Sequence, residues 1–233
     1  NVDHVAKGFY ANRIGKFMDE GLSPEEEEMA ASVIIEVRDN FGLRACANRG
    51  CGPDQASAVR ADFEALMKVA ATHYGQHGFL LGERASLGDF TFAGLFKAHV
   101  EADPEPRSWI DQCAPEMLGY MNRVFESRTD DAGYLSDDRL PETLNPFFDH
   151  MRETYHQFLR VSGEALAANQ KWCEVDLGQG PVKMRSLKYS EVSRCHIKGE
   201  IESLSEEDRA KVDKVLGPLG VLDAYLMPSF LNS

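Results

Sequence analysis

The stretch FLLGERASLGDFTFAG, residues 79–94, places Ser86-Leu87-Gly88-Asp89 at the head of an almost wholly apolar run. A hydroxyl and a carboxylate three residues apart suit either a catalytic pair or a helix start. No His, Lys or Cys stands beside Ser86 in sequence to activate it. The helix start needs nothing more. Ser86 at the N-cap accepts from the N–H of Asp89, and Asp89 reaches back to the N–H of Ser86, so two otherwise unpaired donors are satisfied. Leu87, Phe90, Phe92, Ala93, Leu95 and Phe96 follow. A helix apolar on all sides is expected to be buried, where unpaired donors cost roughly 1–3 kcal/mol each. The stretch therefore reads as a structural cap, Ser86 with Asp89, on a central buried helix over 87–101.

Working outward, nearly every segment has helical periodicity. Ser23-Pro24-Glu25-Glu26 is a second capping box, with Pro24 at the first helical position. Its acidic run, Glu25 to Glu28, complements the helix dipole and suits that role better than a cation site. Met29, Val33, Ile34, Val37 and Phe41 carry this helix to about Asn48. An earlier helix is expected over 3–20. Asp54 is expected to cap a helix over 55–74 that Gly75 and Gly78 end. Pro104 and Pro106 stop the central helix, and a helical pair occupies 107–126. SRTDDAGYLSDDR, residues 127–139, is a polar connector. A long helix from Pro141 to about Asn169 is expected next. In KWCEVDLGQGPVKMRS, residues 171–186, the GQG turn lets the flanks pair as a short hairpin. Helices over 187–202 and 206–217 close the chain, the second capped by Ser205 with Asp208. The fold class is all-α, a helical bundle with a helical extension and one short β-hairpin.

Composition bounds the function. The 233 residues are 43% hydrophobic and 27% charged, enough to bury a core. The formal net charge of −13 argues against nucleic acid as a partner. No apolar run nears the roughly 20 residues of a bilayer span, so membrane insertion is not expected. Five cysteines, Cys46, Cys51, Cys113, Cys173 and Cys195, form no disulfide framework, which points to the cytosol or another reducing compartment. Cys46 and Cys51 have the wrong spacing for a common zinc site, and no metal is expected. No known catalytic motif is present. His150 and His156 fall on different helical faces, and Trp109 and Trp172 read as packing residues.

The residues that start the central helix also carry a family likeness. Phe79-Leu80-Leu81-Gly82, then Ser86 and Asp89 before an apolar helix, resembles the central helix of the C-terminal domain of glutathione transferases. ANRIGKFMDEGLSPEEEEMAASVIIEVRDN is similar to that family's passage from the thioredoxin-like domain into the first helix of the all-helical domain. PEMLGYMNRVFES resembles the helix after the central one. The matches run in order over residues 10 to about 127. They imply that 1–22 are the tail of a preceding thioredoxin-like domain or a linker helix. They also imply that 23–127 are a glutathione-transferase C-terminal-like helical domain, with 128–233 a helical extension packed on it. The chain starts at Asn1 without Met and reads as a fragment or a processed product.

In that family the catalytic Tyr, Ser or Cys and most contacts to the cosubstrate glutathione belong to the upstream domain, so no catalytic residue is carried over. The helical domain supplies a wall of the pocket for a small electrophilic or hydrophobic molecule. By helical spacing Ile35, Arg38 and Gly42 share one such face, although Ile35 suits the core equally. Ala30, Ala31 and Ser32 stand where some classes place an acidic residue that reaches glutathione in a partner subunit, as in a homodimer. Two functions follow as expectations. One is glutathione conjugation to, or thiolysis of, a small electrophile by the parent protein. The other is a non-catalytic interaction or scaffold module in a larger protein complex.

Overall fold

The structure is a computed structural model that describes residues 21–36, 42–128, 133–178 and 180–231, without the side chains at 31, 32 and 34–36. It is mostly helical, with one two-stranded antiparallel sheet. In chain order the helices are α1 (Pro24–Glu36), α2 (Leu43–Asn48), α3 (Ala56–Gln76), α4 (Leu87–Phe96), α5 (Pro104–Cys113) and α6 (Glu116–Glu126). After the connector come α7 (Asn145–Glu153) and α8 (Tyr155–Ala167). The hairpin β1 (Trp172–Asp176) and β2 (Pro181–Arg185) precedes α9 (Lys188–Glu202), α10 (Glu206–Leu216) and α11 (Leu222–Leu226). The expected helix over 3–20 lies outside the described residues. No helix among the described residues is long and apolar enough to cross a membrane.

The core forms where α3, α4, α5 and α6 converge. Met117, Tyr120, Met121 and Val124 lie at helical spacing on α6 and are all fully buried. They meet Met67, Ala70 and Tyr74 of α3 and Ala93 and Phe96 of α4. Trp109 packs as a T-shaped ring against Phe63, 5.8 Å between centroids, and Arg60 stacks over it. A second cluster joins Phe158 and Ala165 of α8 to Cys173 of the hairpin. The hairpin register pairs Trp172 with Arg185, and Gly178 and Gly180 adopt the positive φ that the turn requires.

The caps at Ser23, Ser86 and Ser205 are present. Ser23 Oγ accepts from Glu26 N–H at 3.2 Å, and Ser205 Oγ accepts from Asp208 N–H at 3.1 Å. Several expectations are corrected. Asp54 makes no cap; it sits in a 3-10 turn, Pro53–Gln55, ahead of α3. Gly75 lies inside α3, which runs on to Gln76. Pro104 opens α5 at its first position instead of only stopping the helix before it. The α4 helix ends at Phe96 and passes into a π turn, Lys97–Glu101. The long helix from Pro141 is interrupted at Thr154 (φ −115°, ψ −78°), which separates α7 from α8. His150 and His156 therefore stand on separate helices.

The largest correction concerns α4. It is not buried all round. Ser86, Asp89, Ala93 and Phe96 face inward, but Leu87 is 83% exposed, Leu95 60% and Phe90 49%. The core covers one side of an apolar helix and leaves the other side open.

Candidate functional site

The α4 cap is tighter than a surface capping box. Asp89 is fully buried. Its Oδ2 accepts from Ser86 N–H at 2.8 Å and from the Ser86 hydroxyl at 2.7 Å. Its Oδ1 accepts from Leu80 N–H at 2.8 Å and from the Tyr120 hydroxyl at 2.8 Å. The N–H of Asp89 in turn points at Ser86 Oγ, 3.4 Å away. One carboxylate thus ties together the loop before α4, the start of α4 and the middle of α6. Each Asp89 oxygen also accepts a backbone N–H, so the carboxylate is engaged by the cap and not held free to take the Ser86 proton. The pair holds the fold.

Tyr120 stacks on Tyr74 with ring centroids 3.6 Å apart and planes 16° from parallel. Burial pushes the Tyr74 phenol up to about 12. Burial, the contact with Tyr74 and the neighbouring Asp89 push Tyr120 up further. Both phenols stay protonated at neutral pH, and Tyr120 remains a donor to Asp89.

Beside this cap lies a cavity of about 310 Å³. Its walls are Tyr74 from α3, Leu80, Leu81, Gly88 and Phe92 around α4, Leu140 and Leu144 from the chain leading into α7, and Phe147 and Phe148 of α7 itself. No charged side chain among the described residues lines it. A space of that size and lining suits a small apolar molecule. It does not suit glutathione, whose two carboxylates and ammonium group would find no partner there. Near it, His73 is fully buried. Its Nδ1 lies 2.7 Å from Thr143 Oγ1, and Nε2 has no hydrogen-bond partner. Burial holds this imidazole below its ordinary value of 6.5.

The three expected pocket residues are not gathered at this cavity. The side chain of Ile35, on α1, and the whole of Arg38 lie outside what is described. Gly42 is half-buried at the start of α2 and does not line the cavity. The cysteines are all free; Cys46 and Cys51 are exposed, and Cys51 Sγ contacts the carbonyl of Arg49 at 3.4 Å.

Sequence reasoning missed the second wall of the cavity. Leu140, Leu144, Phe147 and Phe148 belong to the extension, which carried no functional expectation. Their spacing of four, three and one is the helical apolar pattern, so a signal was there. It did not say that this face would close over α4. Compared with known proteins, the chain matches no protein-family model, no curated protein and no solved structure.

Proposed function

We propose that this chain is the helical half of a glutathione-transferase-like protein and holds the apolar part of a small electrophile. The observation that carries the reading is the uncharged cavity beside the SLGD cap, bounded by Tyr74, Gly88, Phe92 and the start of α7. The cap keeps Gly88 and Leu80 in place. Transfer of an apolar group into that space is driven by about 25 cal/mol for each Å² of surface removed from water. The described residues bring no site for glutathione to this cavity, so the thiol cosubstrate is a matter for the rest of the parent protein.

The test is turnover by the intact parent protein with a small aryl halide and glutathione. Leu140→Trp fills the cavity and is expected to raise KM for the aryl halide while leaving KM for glutathione unchanged. An unchanged KM for the aryl halide would show that the cavity does not hold the electrophile. Absence of any conjugation would remove the transferase reading.

A second reading has its own observation. The open side of α4, with Leu87, Phe90 and Leu95 exposed, favours a surface covered by another domain or protein. An assembly module is the function that follows if turnover is absent.

A further inference from the structure

A second cavity, of about 610 Å³, has the opposite character. Arg49, Lys171, Arg185 and Lys188 line it, and no acidic residue among the described residues does. That is unexpected in a chain with 38 acidic and 25 basic residues. Elsewhere Arg60, Lys97, Arg107, Arg152, Arg194, Arg209 and Lys211 each pair with a carboxylate. The four at this cavity form no ion pair with any described residue.

The backbone under these cations is fixed. Ser186 N–H donates to the carbonyl of Lys171 at 3.0 Å, and Ser186 Oγ donates to the carbonyl of Gln170 at 2.7 Å. Leu187 N–H donates to Ser162 Oγ at 2.9 Å. These bonds lock the end of α8 to the end of the hairpin, with Trp172 opposite Arg185. α9 starts at Lys188 without a side-chain cap, so the positive end of its dipole lies at the cavity wall. Arg49 arrives from the opposite side, at the end of α2. Gly50 (φ +70°) lets that turn press on β2; a Cβ there would meet Met184 Cγ at 2.9 Å and Val182 Cγ2 at 3.2 Å.

From this convergence we infer that the cavity binds a small molecule carrying two or more anionic groups. Two guanidinium forks and two ammonium groups, gathered at one cavity and paired with no described carboxylate, suit phosphate or carboxylate oxygens. The volume falls in the small-ligand range. A long nucleic acid fits poorly, because the rest of the surface is acidic and repels it beyond one cavity's width. The site is independent of the transferase reading and stands or falls separately from it.

The test is calorimetric and NMR titration of the 233-residue chain with inorganic pyrophosphate and, in parallel, with citrate. The expected result is saturable one-site binding of at least one of the two. Amide shifts should be concentrated at Arg49, Asn169, Lys171, Arg185 and Lys188. The stronger probe identifies phosphate or carboxylate as the native group. Arg49→Glu with Arg185→Glu is expected to weaken binding by roughly a hundredfold, about tenfold for each charge-assisted hydrogen bond removed. Lys171→Gln with Lys188→Gln, which reverses no charge, is a second variant should the first fail to fold, and is expected to weaken binding similarly. Gly50→Ala keeps every charge but shifts Arg49, and is expected to weaken binding by about tenfold. Three results would overturn the inference: no saturable binding of either probe, shifts spread evenly over Lys211, Lys214 and other surface cations, or affinity untouched in folded variants. A single-stranded oligonucleotide that binds through the same residues more tightly than either probe would overturn the small-molecule assignment.

Discussion

Removing the Asp89 carboxylate is the sharpest perturbation available in the core. In Asp89→Ala, four donors lose their acceptor: Leu80 N–H, Ser86 N–H, the Ser86 hydroxyl and the Tyr120 hydroxyl. The Ser86 and Tyr120 hydroxyls can turn their protons elsewhere; the two backbone N–H groups are fixed. Each buried unpaired donor costs roughly 1–3 kcal/mol. Part of that is recovered, because a buried carboxylate without a cation beside it is itself expensive and is no longer there. The net expectation is a loss of about 4 kcal/mol, a large share of the roughly 5–15 kcal/mol that holds a typical domain together. Asp89→Asn is expected to cost about half as much, since its amide keeps one acceptor but turns an N–H₂ toward the Ser86 N–H. Tyr120→Phe, which deletes a single donor and keeps the ring stack, is expected to cost about 1 kcal/mol. Urea unfolding followed by circular dichroism measures all three. If Asp89→Ala folds completely, the apolar cavity and its ligand affinity should be nearly unchanged. A loss below about 1 kcal/mol with an unchanged m value, or a collapse of ligand binding in fully stable protein, would refute the structural reading of the cap.

Three further outcomes are expected. His73 and His156 are buried and held below their ordinary value, His73 by burial and by His77, His156 by burial and by Arg152. Their folded forms favour the neutral ring, so the stability they contribute is full above about pH 6.5 and is lost as pH falls through the lower folded values; thermal melts of His73→Leu with His156→Leu should lose that acid dependence. Tyr74 and Tyr120 work in the opposite direction: their raised values mean stability that is full below about pH 10 and lost as pH rises toward 12 and beyond, which a melt series in alkaline buffer checks. Arg194 is 1% exposed, pairs with Glu191 at 2.7 Å and donates to the carbonyls of Tyr225, Met227 and Pro228. Arg194→Ala would strand Glu191, cost roughly 3–5 kcal/mol and free the chain end, so limited proteolysis should cut after residue 224 far sooner than in the unaltered protein.

Glu191 also explains why that pair endures in the interior. Burial alone pushes its carboxyl up; the Arg194 guanidinium, the Phe230 N–H and the Cys195 thiol outweigh burial and leave it below its ordinary value. Nothing in the sequence announces this anchor. Glu191 and Arg194 stand three apart on a helix, the spacing of any surface pair, and only the returning carbonyls of 225–228 bury them. The caps were different. Ser23, Ser86 and Ser205 act on residues three positions away, so their chemistry was complete within a few letters. The hairpin was legible for the same reason.

Burial failed where it depended on what lies opposite. The apolar letters of α4 predicted a helix enclosed on all sides, whereas the described residues cover only the face of Asp89, Ala93 and Phe96. The apolar cavity was half legible. Tyr74, Gly88 and Phe92 fell in segments already read as packing, but the wall from Leu140 to Phe148 comes from some fifty residues downstream of α4. The basic cavity was least legible, because Arg49, Lys171, Arg185 and Lys188 are isolated in sequence. They converge only through the α8 end, the hairpin and the Gly50 turn.

Whether this chain is the helical half of a glutathione-transferase-like protein is decided by applying the intact parent protein to immobilised glutathione. A pyrophosphate wash excludes retention through the basic cavity. The protein is expected to stay bound through the wash and to elute with free glutathione. Passage through the column, or release by pyrophosphate alone, would rule the assignment out.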